Sequence, residues 1–298
     1  MTWQFVLTGL LVGGLVGATG MGGGSLMTPI LVLLLGFQPV TAVGTDVLHG
    51  AIFKSVGALR HRRLGTVSGQ LSGWMFVGSA PLSLLGVAVA SRYLAGGSGT
   101  SGTAAWVLGG AFLLGGCGLV AKNAIGATAT VREPFVLTRR DKVAAVLIGA
   151  VGGFVVGMTS VGSGVFFGLT LLIAFPLGAS KVVGTDLLHA AGLLWVAGIG
   201  HLVAGNVDLH AVVWLLVGSI PGVLVGSELS VRTSDSRLRV VLAAVLMVSG
   251  LKLVAPSGTF WYLAAGVCGA LATGAAAGAA RRRRSGTRLE THPLPRHG

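Results

Sequence analysis

Residues 44–49 read Gly44-Thr45-Asp46-Val47-Leu48-His49, and residues 184–189 read Gly184-Thr185-Asp186-Leu187-Leu188-His189. The offset is 140 residues (184 − 44), and it continues outward without a gap. Gly78-Ser79-x-Pro81 falls on Gly218-Ser219-x-Pro221, Trp74 on Trp214, His61 on His201, Gly65 on Gly205 and Gly86 on Gly226. Upstream, Gly17-x-Thr19-x-x-Gly22-x-Gly24 falls on Gly157-x-Thr159-x-x-Gly162-x-Gly164. A single shift covering so many positions marks a duplication. The reading gives a first repeat over 1–140 and a second over 141–280. The second includes an additional C-terminal segment at 259–280, and a basic tail follows at 281–298.

The medium is set by composition. Of 298 residues, 53% are hydrophobic and 10% charged, where soluble domains carry about 25% charged residues. The mean hydropathy is +0.86. A soluble fold would have too few charges to coat its surface; lipid as solvent removes the difficulty. The net charge of +13 does not indicate a nucleic-acid partner. Arg281, Arg282, Arg283, Arg284, Arg288 and Arg296 lie in the tail, and Arg60, Arg62, Arg63, Arg139, Arg140 and Lys142 flank apolar runs. Cations so placed set membrane topology. Cys117 and Cys268 lie inside apolar runs and read as small packing residues. Met1-Thr2-Trp3-Gln4 lacks the positive start of a signal peptide, so the first apolar segment is expected to be retained.

The expected fold is all-α, a polytopic transmembrane bundle of two inverted repeats with broken or re-entrant helices. Apolar segments run near 4–19, 25–36, 40–59, 68–90 and 104–121, then 142–158, 164–178, 182–200, 209–228 and 238–254. A full span takes about 20 residues, so 25–36 and 164–178 are short. Each reads with its predecessor as a broken pair. The loop Arg60-His61-Arg62-Arg63 is basic, while its equivalent from His201 to His210 holds no Lys or Arg. The next loop reverses the bias, with Arg232, Arg237 and Arg239 opposed by Arg92 alone. Equivalent loops on opposite sides mean inverted repeats and a cytoplasmic C-terminus.

Two pairs of elements carry the candidate site. Gly22, Gly23, Gly24 and Ser25, with Ser160, Gly162, Ser163 and Gly164, form glycine breaks ahead of the short segments. Glycine weakens a helix by about 1 kcal/mol relative to alanine, so such clusters unwind it. Unwound backbone persists in a membrane only where protein buries it or it lines a cavity. The helix that follows presents N–H groups suited to an anion, with tight helix crossing as the competing reading. The second pair is Thr45, Asp46 and His49 with Thr185, Asp186 and His189. Asp and His three apart share a helix face, and intramembrane ionisable groups tend to be functional. They are read as coupling or gating residues with Thr45 and Thr185 as substrate contacts; helix capping by Thr or Asp is weighed evenly against this. Lys54 has Leu194 as its equivalent and is expected to snorkel to the interface, with a counter-charge for an anion as the competing reading. Pro81 and Pro221 lie mid-helix. No P-loop and no metal motif is present.

The motif Gly17-x-x-Gly20-x-Gly22-Gly23-Gly24-x-Leu26-x-x-Pro29, followed by Gly36, resembles that of the sulfite exporter TauE/SafE family of membrane transporters. Its counterpart runs through Gly153, Gly157, Gly162 and Gly164 to Pro176. Half two reads Thr159-Ser160-Val161-Gly162-Ser163-Gly164 where that family often has three glycines. The resemblance implies a permease for a small anion, a sulfur oxyanion or organosulfonate. The full expectation is a secondary transporter of the cell membrane working by alternating access, one half rocking on the other, with proton coupling. It is no enzyme and needs no cofactor or metal. Its partners are the anion and membrane lipids, with a homo-oligomer left open. The alternatives are an anion channel and a metal-binding intramembrane protein.

Overall fold

The computed structural model describes residues 2–19, 24–93, 101–125, 136–230 and 235–255, and most of 259–270. Among these, secondary structure is helical. The ten main helices are α1 (Thr2–Thr19), α2 (Gly24–Leu33), α3 (Pro39–Arg63), α4 (Gly69–Tyr93), α5 (Ser101–Ile125), α6 (Arg139–Thr159), α7 (Phe166–Ala174), α8 (Ala179–Val203), α9 (Leu209–Ser230) and α10 (Asp235–Val254). Four stretches are long and apolar enough to cross a membrane: Gly69–Tyr93, Ala104–Ala121, Arg139–Thr159 and Ser180–Val203. Leu11, Leu34, Leu114 and Val203 face outward, as suits a lipid-facing surface. The tail at 281–298 and the end of the 259–280 segment lie outside the described residues.

The two expected short elements are short. At 1.5 Å per residue, the ten residues of α2 and nine of α7 reach about half the ~30 Å hydrocarbon core. α7 follows a break. α6 ends at Ser160, which adopts the left-handed conformation (φ 62°), and Gly162 follows at φ 110°. Leaving the helix through a non-glycine residue at positive φ costs about 1 kcal/mol or more. The equivalent stretch between α1 and α2, residues 20–23, is not described. Gly22 and Gly23 fall outside the described residues; Gly24 and Ser25 open α2.

The most extensive seams are α1 on α9, α4 on α6, α3 on α8 and α5 on α10. All four join one repeat to the other, so the sequence halves interleave. A motion in which one half rocks as a block against the other, as expected above, would tear these seams. Contacts recur at the 140-residue offset. A Cβ on Gly13 would overlap the carbonyl of Ser219, and one on Gly153 that of Ser79. These positions are glycine because two helix backbones touch there. α4 runs parallel to α6, with Gly78 against Val146 and Gly86 against Phe154. α3 runs antiparallel to α8, with Gly57 against Leu187 and Gly50 against Leu194. The helices continue through Pro81 and Pro221. Cys117 is exposed, so the packing role expected for it does not hold: its side of α5 faces away from the α5–α10 seam.

Candidate functional site

The repeated Gly-Thr-Asp-x-x-His element lies between about one and three turns inside α3 and α8, and each residue has a separate physical task. Gly44 and Gly184 permit contact with the backbone carbonyls of Asn206 and Thr66. The next residue ties that crossing: Thr45 Oγ1 accepts the Asp208 N–H, and Thr185 Oγ1 the Ser68 N–H, both at 3.0 Å. Asp208 and Ser68 immediately precede α9 and α4, whose first N–H groups have no partner within the helix. Thr45 and Thr185 are fully buried. Their observed bonds are therefore of the capping kind, made to another helix.

Asp46 reaches the break. Its Oδ2 accepts from the Thr28 N–H at 3.2 Å, Thr28 Oγ1 at 2.5 Å and Ser160 Oγ at 2.8 Å. One carboxylate oxygen thus joins α2 of its own half to the end of α6 in the other. The left-handed turn at Ser160 is what carries that hydroxyl across. Asp186 is also buried.

His49 and His189 do not bond their neighbouring Asp in the described contacts. His49 Nε2 pairs with Ser219 Oγ, and His189 Nε2 with Ser79 Oγ, each at 2.9 Å. The two bonds are equivalents at the 140-residue offset, and each crosses between halves.

Lys54 corrects its expectation. It does not snorkel; it is 1% exposed, and its Nζ donates to Ser163 O at 2.5 Å and Ser163 Oγ at 2.8 Å. The break backbone supplies a carbonyl released from helical pairing, which is a better partner for an inward ammonium than lipid. Lys54, Asp46, His49 and Ser219 line one narrow cavity with Val12, Gly13, Val16, Gly50 and Phe53. It has room for little more than a water molecule.

The structure thus brings together Asp46, Ser160, Ser163, His49 and Lys54. It keeps Thr45 and Thr185 at helix crossings. Among the described residues no three His, Cys, Asp or Glu side chains converge as a metal-ligand group. Sequence reasoning missed Thr28, Ser79 and Ser219 as partners. Ser79 and Ser219 were visible in the duplicated Gly-Ser-x-Pro motif, but nothing in a sequence says which helix a serine will face.

Comparison with known proteins agrees with this architecture. A family described as Sulfite exporter TauE/SafE matches residues 5–253. The chain belongs to that family. Probable membrane transporter protein YjnA of Bacillus subtilis (strain 168) is 37% identical over 255 residues, covering 85% of this chain and all of the relative. Probable membrane transporter protein YdhB of the same organism is 27% identical over 256 residues, covering 84% of this chain and 98% of the relative. Probable membrane transporter protein y4hK of Sinorhizobium fredii is 36% identical over 112 residues, 37% of this chain and 45% of the relative. No solved structure matches. This TauE/SafE protein is a multi-pass membrane transporter, not an enzyme.

Proposed function

We propose that the protein moves a small sulfur oxyanion or organosulfonate across the cell membrane by alternating access. The carrying observation is the hydroxyl cluster at the α6–α7 break, where Ser160 meets Asp46 and Ser163 meets Lys54 deep in the bundle. Hydroxyls, break N–H groups and a nearby cation are the donors an oxyanion needs. The anion would occupy the space between Ser160, Ser163 and the break at Gly162–Gly164, with Gly22, Gly23, Gly24 and Ser25 as the first-half counterpart. The family's name as a sulfite exporter supports the sulfur class.

The cavity is too narrow for a tetrahedral oxyanion, so this conformation is a closed one on the proposed cycle. Because the halves interleave, opening belongs to spatial units. The α1–α9 and α4–α6 pairs would tilt about the central α3–α8 pair. The exchanged contacts and the antiparallel α3–α8 crossing support inverted repeats, which with the Arg-rich tail give a cytoplasmic C-terminus.

Charge supplies a reason for proton coupling. Asp46, Asp186 and Lys54, all ionised, sum to one negative charge that repels an anion. A proton on one carboxylate removes it; His49 and His189 are the neighbouring groups able to relay that proton.

The test is uptake of labelled sulfite, thiosulfate, sulfate and methanesulfonate into proteoliposomes, with and without a pH gradient. Saturable, gradient-dependent flux of one anion is expected, and Asp46→Asn should flatten its pH dependence. Flux that is uncoupled and does not saturate would make the protein a channel instead. No flux from folded protein would remove the sulfur-anion reading.

A further inference from the structure

Lys54 is the one buried Lys or Arg side chain among the described residues. Removing an ammonium from water costs several kcal/mol even after the surroundings relax. Evolution of this site nevertheless placed one there, on α3, and did so in one repeat only. The equivalent position is Leu194, which is equally buried at 1% exposure.

The bonds it makes are those of a cation between tasks. Two of its three N–H donors go to Ser163, to a neutral carbonyl and a neutral hydroxyl. Asp46, on the same helix, already has three donors on Oδ2 from Thr28 and Ser160. Asp186 and Asp46 act on the Lys54 charge through space. Its direct partners are therefore exchangeable oxygens of moderate strength, which the more basic oxygens of an anion can replace.

Position explains why one lysine serves. Trp195 Nε1 donates to Ser55 Oγ at 3.0 Å, and residues 55 and 195 are equivalents at the 140-residue offset. Side chains that touch their own equivalents lie where the two repeats meet. Lys54 is the adjacent residue. A second lysine at 194 would set two like charges in one dry region; leucine there leaves a single cation shared by both repeats.

We propose that the Lys54 ammonium is the substrate-coordinating cation of this transporter, exchanging the Ser163 oxygens for those of the anion and setting the site's charge selectivity. Ser163 Oγ, released, turns its hydrogen to the same anion. Because Lys54 belongs to one repeat and Ser163 to the other, the empty closed state is held by the contact that substrate must replace. Substrate thereby loosens the crossing it is to pass. The inference rests on the anion-transport reading and names the residue that makes it selective.

The experiment compares full-length wild type, Lys54→Leu and Lys54→Arg in proteoliposomes. Thiosulfate and sulfate serve as dianions and methanesulfonate as monoanion, and melting temperatures are read with and without each anion. Lys54→Leu copies the residue of the second repeat. It should lose about 100-fold or more in kcat/KM for a transported dianion and distinctly less for the monoanion. Its melting temperature without anion should fall, because Ser163 loses its donor and Asp46 and Asp186 lose a nearby counter-charge, so transport is compared on folded protein. The anion-induced rise in melting temperature should vanish. Lys54→Arg should recover most of the dianion rate. Transport by Lys54→Leu within about twofold of wild type overturns the proposal while leaving the anion reading intact. So does an equal loss for dianions and monoanion alike, which is the mark of a structural role. A wild type that neither transports nor is stabilised by any of these anions ends the anion reading, and this inference with it.

Discussion

Around His49 the side chains leave a narrow cavity lined by Asp46, Lys54 and Ser219. Around His189 large apolar side chains stand in the equivalent places. Phe167 of α7 stands edge-on, 4.4 Å from the imidazole, where the first repeat has Met27. Leu194 replaces Lys54, and Leu193 replaces the Phe53 ring that stacks on His49 at 6.0 Å. Yet both histidines keep the same bond to a serine of the other repeat, and both threonines keep theirs. The difference teaches where duplication is held strictly and where it is not. Contacts that fix helix crossings are retained in both copies, because each crossing needs its own. The polar lining differs: among the described residues the one buried lysine belongs to the first repeat, and its equivalent is a leucine.

The sharpest way to break this comparison is to make the copies alike. Leu194→Lys buries a second ammonium beside the first, and we expect a loss of about 3–5 kcal/mol, the cost of an uncompensated buried charge. The readout is folded yield in detergent. A variant that folds and melts like wild type would show that the second repeat has room and partners for a cation.

Next in size are the carboxylates. Asp46→Asn should reduce flux about 100-fold, since Oδ2 holds α2 and the α6 terminus together and lines the cavity, whereas Asp186→Asn should cost under about tenfold. Equal losses would mean that the two repeats contribute equally to the transport step.

The crossings should respond symmetrically. Gly13→Ala and Gly153→Ala each push a methyl into a facing backbone carbonyl, so each should destabilise by about 1–3 kcal/mol, the usual range for overpacking. Melting temperatures differing widely between the two would weaken the equivalence of the α1–α9 and α4–α6 seams. The smallest effect belongs to the histidine partners. Ser219→Ala and Ser79→Ala each remove one hydrogen bond, about 0.5–1.5 kcal/mol. Only Ser219→Ala should also alter flux, because Ser219 lines the cavity.

Much of the fold could be read from local signals. Apolar runs located the helices within a few residues, because each run must match the hydrocarbon thickness. The short α2 and α7 followed from the density of glycine ahead of them. Of the side chains that meet near the break, Asp46, His49 and Ser160 stood out in the sequence because ionisable or hydroxyl groups beside unwound backbone are costly in a membrane. Lys54 was misread. A lysine one and a half turns from Arg60 fits a snorkelling side chain equally well, and only the rotation of α3 against α6 distinguishes inward from outward. For Thr45 the ligand and capping readings stood level, because its spacing cannot show that the N–H preceding α9 lies opposite.

The sequence by itself determined that this chain lives in lipid, that it is duplicated at 140 residues, and where its helices break. Those properties depend on composition, periodicity and spacing along the chain, and each is written in contiguous residues. The tertiary structure alone decided that the repeats interleave, that each histidine bonds a serine of the other repeat, and that Lys54 points to Ser163. These depend on which face of a helix meets which neighbour. That is settled by close packing of glycine seams across separations such as 68 residues (Gly78 to Val146, 146 − 78) and 206 (Gly13 to Ser219, 219 − 13), distances over which no local pattern carries information.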